Sequence, residues 1–206
     1  MSTSEMEAQP TSSPEHASPA NPVADPAPLG LGAFAATTFL LSLFNAGIVA
    51  ESLEPVVLPV ALFYGGLAQF LAGMWEFRNR NTFGALAFTS YGAFWLSFAA
   101  YVQFVAPTLP EDSASTATGL YLLIWTIFTA YMTVAALRVN AAVAAVFILL
   151  TPTFLALTLA DLLGVSVLGT IGGILGLLTA IAAWYASFAG VLQATWGRAV
   201  LPVGPR

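Results

Sequence analysis

The chain has no cysteine, no lysine and one histidine, and only 7% of its 206 residues are charged. Each shortage excludes something. Without a thiol there is no disulfide, thiolate nucleophile or cysteine-ligated metal. Five basic residues against ten acidic ones give a net charge of −5 and no basic patch for nucleic acid. The lone histidine, His16, stands in a proline- and serine-rich stretch and reads as a solvated bystander. The scarcity of charge decides most, because a soluble domain carries roughly a quarter of its residues charged.

What fills the space is apolar: 58% of the residues are hydrophobic. A soluble fold of this size has too little polar surface to cover so much apolar area, so the chain reads as an integral membrane protein. Residues 1–24 are the exception. Rich in Pro, Ser, Ala and Glu, they bury too little to offset ordering entropy and are expected to be a disordered tail. With neither a basic start nor an apolar run, the tail is not a signal peptide.

Residues 25–206 form the expected transmembrane domain. Six apolar stretches, near 30–50, 56–77, 82–105, 118–137, 141–160 and 167–192, suffice to cross a ~30 Å hydrocarbon core at ~1.5 Å per helical residue. Continuous apolarity rather than ten-residue alternation excludes a barrel. The predicted fold is therefore an all-α membrane protein of six transmembrane helices. Its five arginines (78, 80, 138, 198 and 206) fall after the second span, after the fourth and after the sixth, on one side of the membrane. Glu51, Glu54, Glu111, Asp112 and Asp161 fall on the other. By the positive-inside tendency both termini are cytoplasmic, in a multi-pass protein of the cell membrane.

No span carries an ionisable residue near its middle, which argues against a fixed proton relay. Glu76 lies at the arginine-bearing end of the second span, where an ion pair with Arg78 or Arg80 is the plain expectation. The spans hold uncharged polarity instead. Thr37, Thr38, Ser42 and Asn45 dot the first, and Tyr64 and Gln69 the second. Threonines recur in the fourth and fifth spans, where bonding to their own helix or gluing helices together is the ordinary role. Asn45 and Gln69 are harder to accommodate, because an amide has more bonding sites than a helix backbone satisfies.

Gly65, Gln69, Gly73 and Glu76 share one helical face, and Phe88, Tyr91, Trp95 and Phe98 form an aromatic stripe. Pro152 interrupts the fifth span and predicts a kink there. Gly169, Gly172, Gly173 and Gly176 in the sixth predict close helix contact. No Ser/His pair, paired acids or metal-ligand spacing lies at membrane depth, so neither an enzyme nor a cofactor or metal site is expected. These residues fit a narrow path for a small solute. A channel for urea or ammonia, and a non-transporting scaffold or sensor, are the alternatives that residues alone leave open.

Three stretches carry a resemblance. "DPAPLGLGAF" resembles the N-P-x-P-L-G-L signature that opens the first helix of the acetate uptake family, also called succinate–acetate permeases. "FYGGLAQFLAGMWEFRNRNTFGALAFTSYGAFWLS", residues 63–97, is similar to that family's most distinctive block, and "GRAVLPVG" to its ending. The resemblance spans residues 25–204. It implies a homo-hexamer in the lipid bilayer, each protomer with its own pathway for acetate and related short carboxylates such as succinate. By motif position it implies an apolar waist of Phe34, Tyr91 and Leu150 with Gln69 as a polar wall group. Thr37, Thr38 and Asn45 are the further polar pathway candidates.

The chain departs from the signature at Asp25, where the family has Asn. Either residue caps a helix, but only Asp brings a charge that repels a carboxylate. Pro26 and Pro28 stand where helix amides lack partners anyway, and the remaining free amides of that first turn suit an anion. Two transport modes follow: an anion passing as in a channel, or a carboxylate crossing with a proton.

Overall fold

The computed structural model describes residues 23–204, so all but the last two residues of the expected disordered tail, 1–24, lie outside the described residues. Six helices are long and apolar enough to cross a membrane: α1 Ala27–Asn45, α2 Glu51–Arg78, α3 Thr82–Thr108, α4 Glu111–Ala136, α5 Ala141–Leu163 and α6 Ser166–Trp196. Among the described residues there is no strand. The chain is a multi-pass membrane protein, and an even number of spans brings both described ends to the arginine-bearing face.

Element ends differ from expectation where local chemistry acts. The first span stops at Asn45 rather than near 50, because the chain turns through Gly47 at φ 70°. The fourth begins at Glu111 rather than near 118, with Glu111 and Asp112 in its first turn, where carboxylates complement the helix dipole. The fifth and sixth separate at Gly164, whose φ of 67° ends α5 in the left-handed conformation. At Pro152, α5 runs on as one helix. Thr151 and Thr153 donate hydroxyl bonds to the carbonyls of Phe147 and Leu149 on either side of the carbonyl that Pro152 leaves free.

The helices form a ring in the order α1, α2, α3, α4, α5, α6, with α6 packed back along α1. Five seams are close and one is wide. In the close seams, glycine lets backbones meet: a Cβ on Gly65 would sit 2.5 Å from the Thr37 hydroxyl, and one on Gly176 would strike the Ser42 hydroxyl. Threonine pairs add hydrogen bonds, Thr126 to Thr158 at 2.8 Å and Thr133 to Thr151 at 2.7 Å across α4 and α5.

The wide seam lies between α3 and α4, where few backbone atoms approach and large side chains bridge the gap. Tyr101 and Tyr121 stack there at 5.3 Å, and Phe94 and Trp125 meet edge-on at 5.1 Å. The aromatic stripe of α3 thus faces the ring's interior, with Phe88, Tyr91 and Trp95 all buried.

Candidate functional site

Inside the ring, a cavity of about 310 Å³ opens at the arginine-bearing face. Its mouth is made where helices begin: Asp25, Ala27 and Pro28 at α1, Asn81 and Gly84 at α3, Asn140 and Val143 at α5. Its depth reaches Phe34, Gln69, Tyr91 and Leu150. The volume is at the low end of the ~300–1,000 Å³ typical of small-molecule sites.

Four residues singled out in the sequence therefore line one cavity, each from a different helix. Phe34 lies seven residues into α1, about 10 Å from its start, and Tyr91 and Leu150 lie nine residues into α3 and α5, about 14 Å. Phe34 and Tyr91 have ring centroids 5.5 Å apart, and Tyr91 also meets Phe128 at 5.3 Å and Phe147 at 6.0 Å. The Tyr91 hydroxyl is bonded across the wide seam to Thr129 Oγ1 at 2.9 Å. Its polar end is thereby committed, and the ring is what faces Phe34.

Gln69 is different. It is 1% exposed, and neither Oε1 nor Nε2 has a hydrogen-bond partner. An unpartnered buried polar group costs about 1–3 kcal/mol, and this side chain carries two such atoms on a cavity wall. A π-helical stretch, Ala61–Ala68, immediately precedes it. Such wide turns shift the facing of later residues and recur at functional sites.

The other polar candidates are placed elsewhere. Thr37 is not on the cavity wall: its hydroxyl donates to the Ala33 carbonyl at 2.9 Å, and its side chain fills the notch left by Gly65. A threonine has an acceptor one turn back in its own helix, so burial against a neighbouring helix needs no water. Thr38 is buried with an unpartnered hydroxyl, one turn beyond Phe34 and also off the wall. Asn45 is the last residue of α1, at the acidic face, with its backbone against Gly173.

The chemistry of the mouth also differs from the sequence reading. The α1 start does bind an anion, but it is the chain's own: Asp25 Oδ1 accepts the Ala27 amide at 3.0 Å. The α5 start is likewise occupied. Ala141 and Ala142 donate to the carbonyls of Gly204 and Val203, and Val143 donates to Asn140 Oδ1 at 2.9 Å. The C-terminal stretch therefore serves as a lid on α5, further secured by the Tyr185 hydroxyl on the Pro202 carbonyl at 2.7 Å.

Glu76 turns inward rather than toward the arginines. It is fully buried, its Oε2 accepts from Asn79 Nδ2 at 3.0 Å, and its Oε1 lies against Gly84 beside Asn81. Arg78 and Arg80 are exposed.

Sequence reasoning missed Asn81, Asn140, Phe83 and Phe147. The two asparagines had a readable signal, since each directly precedes an apolar helix, as an N-cap does. The two phenylalanines had none, because nothing in one sequence distinguishes a cavity-facing ring from a lipid-facing one.

Comparison with known proteins bears on this arrangement. The sequence model of the GPR1/FUN34/yaaH family matches residues 7–205. The chain is 38% identical over 182 residues to the succinate-acetate/proton symporter SatP of Escherichia coli, covering 88% of this chain and 96% of that protein. It is 43% identical over 178 residues to the ammonia transport outward protein 2 of Saccharomyces cerevisiae, covering 84% of this chain and 63% of that one. The chain thus spans less than two thirds of the length of the yeast proteins it matches. A solved structure of the bacterial acetate channel SatP superposes with a TM-score of 0.82 at 38% identity, covering 88% of this chain and 99% of that one.

Proposed function

Because the chain belongs to the GPR1/FUN34/yaaH family, we propose that it transports acetate and related short carboxylates through the interior of each six-helix protomer. One observation carries this reading. An unpartnered amide, Gln69, sits on the wall of a cavity whose floor is apolar and whose lining holds no cation. Gln69 Nε2 gives a carboxylate a donor in transit without the deep binding that a lysine or arginine would impose. Phe34, Tyr91 and Leu150 form the waist and admit solutes by size and by the cost of shedding water.

The waist also bears on the proton. A carboxylic acid with the acidity of a glutamate side chain, pKa about 4.3, is neutral in roughly one molecule in 500 at pH 7. That rarity corresponds to about 3.7 kcal/mol. Desolvating the ion in an apolar constriction costs several kcal/mol even after relaxation. The two are comparable, so crossing as neutral acid competes with crossing as anion, and net flux is proton-linked. The substrate itself carries the proton, since no carboxylate, histidine or lysine lines the waist and the Tyr91 hydroxyl is bonded to Thr129.

The same reading includes assembly as a homo-hexamer. Apolar side chains exposed along α4 and α6, among them Ile124, Ile127, Ile174 and Ile181, are available to lipid and to neighbouring protomers.

The test is uptake of labelled acetate into proteoliposomes with and without an inward proton gradient. Unmodified protein should accumulate acetate severalfold more with the gradient. Tyr91→Ala, which widens the waist, should raise uptake of bulkier acids relative to acetate. Flux indifferent to the gradient removes the proton linkage, and no flux removes the reading.

A second reading has one specific support, the likeness to a yeast protein named for ammonia transport. It predicts that ammonium, and not other carboxylates, competes with the transported solute.

A further inference from the structure

Three helix starts line the mouth of the cavity, and before each a side chain accepts a backbone amide of the first turn. At α3, Asn81 Oδ1 accepts the Gly84 amide at 3.0 Å, and at α5, Asn140 Oδ1 accepts the Val143 amide at 2.9 Å. At α1 the N-cap is Pro26, which has no side-chain acceptor, and Asp25 just before it accepts the Ala27 amide at 3.0 Å. Asn and Asp cap about equally well. The negative charge of Asp25 is therefore not needed for this bond, since an asparagine oxygen accepts a backbone amide equally well, as Asn81 and Asn140 do beside it.

That charge has a defined place. Asp25 is exposed, is tethered to its own helix rather than free to swing into solvent, and is the only charged residue among those lining the cavity. Glu76 lies behind the wall under Gly84, within electrostatic reach of Asp25. The described arginines, Arg78, Arg80, Arg138 and Arg198, are exposed and none lines the cavity. Any solute reaching Gln69 from the arginine-bearing face passes a fixed negative charge.

We propose that Asp25 is a valence filter: it sets the preference of this transporter for singly charged over doubly charged carboxylates at the mouth. The proposal rests on the transport reading above. Its logic is that a fixed charge multiplies the local concentration of an ion by a factor exponential in that ion's charge. Removing the charge therefore raises dianion passage by the square of the factor for a monoanion, whatever the contribution of Glu76 or the arginines. For a carboxylate passing on the order of 8 Å away in a largely watery mouth, the interaction corresponds to roughly a threefold factor per unit charge. The effect fades as salt shortens the Debye length from about 30 Å at 0.01 M to about 3 Å at 1 M.

The experiment compares unmodified protein with Asp25→Asn in proteoliposomes, measuring initial uptake of labelled acetate and labelled succinate from the arginine-bearing face at pH 8. Asparagine keeps the acceptor and the volume and removes only the charge. At low ionic strength, Asp25→Asn should speed acetate about threefold and succinate about tenfold, and both gains should shrink toward unity in 1 M salt. Asp25→Ala, which loses the acceptor as well, should show the same valence ratio but a lower thermal midpoint. A succinate gain no larger than the acetate gain overturns the proposal and leaves transport standing. If unmodified protein carries neither acid, transport and filter fall together.

Discussion

A single side chain tests whether the cavity is a pathway or a packing defect. Gln69 holds two buried polar atoms without partners, a local destabilisation of about 1–3 kcal/mol for each group so stranded. If the amide is kept for passing solutes, replacing it with an apolar residue of similar size removes that burden together with the function. Gln69→Leu should therefore leave the thermal midpoint unchanged or raise it by a few degrees, while lowering acetate uptake by about tenfold or more. A thermal shift assay beside liposome uptake separates this from ordinary core damage, in which both fall. Leucine that destabilises the protein and spares uptake would show that the amide has structural partners. Gln69 stood out in the sequence because no helix satisfies a buried amide alone. Thr37 misled for the opposite reason: its hydroxyl finds the Ala33 carbonyl within its own helix, so its burial carries no information about water. That Leu150 and Phe34 line the cavity was legible only through resemblance, since an apolar residue on a cavity wall looks like any other apolar residue.

Among the elements, α1 and α6 make the seam that holds the pathway's first helix in place. Its closest point is Gly173, where an added Cβ would collide with the Ala46 amide nitrogen and lie 2.6 Å from the Asn45 carbonyl carbon. Backbone cannot yield as a flexible side chain does, so the helices would have to separate. Overpacking of this kind costs about 1–3 kcal/mol, occasionally more. Gly173→Val should lower the thermal midpoint and broaden the size-exclusion peak in detergent. Gly169→Ala, about one turn earlier in the same helix, meets only the Ala160 methyl at 3.8 Å and should be silent. At this scale the sequence was informative. Gly172, Gly173 and Gly176 of the sixth span, the shared face of Gly65, Gln69, Gly73 and Glu76, and Phe88, Tyr91 and Trp95 of the third proved buried, because helical periodicity maps onto packing, while Gly169 and Phe98 at the ends of their runs are only half-buried. Span ends were less legible, since they depend on turn geometry such as that at Gly47. The π-helical stretch ahead of Gln69 had no sequence signal at all, because side-chain pattern does not reveal which carbonyl an amide chooses.

For the whole molecule, orientation and opening make one claim. The ring opens where the arginines are, and the positive-inside tendency places that face in the cytoplasm. The absence of native cysteine makes this directly measurable, since a single introduced thiol reports alone. Val143 lines the cavity in the first turn of α5 and is partly buried, so a thiol there is reached through the mouth and not from lipid. Val143→Cys should react with a membrane-impermeant maleimide in inside-out vesicles and resist it in right-side-out ones, because the proposed waist of Phe34, Tyr91 and Leu150 lies between it and the acidic face. Acetate should slow the reaction by occupying the same space, and a neutral sugar of larger size should not. Labelling from the acidic face alone would invert the molecule and move Asp25 to its outer mouth. Equal labelling from both faces would mean that the three-residue waist does not close the ring, and size and desolvation at that point could not then govern what crosses.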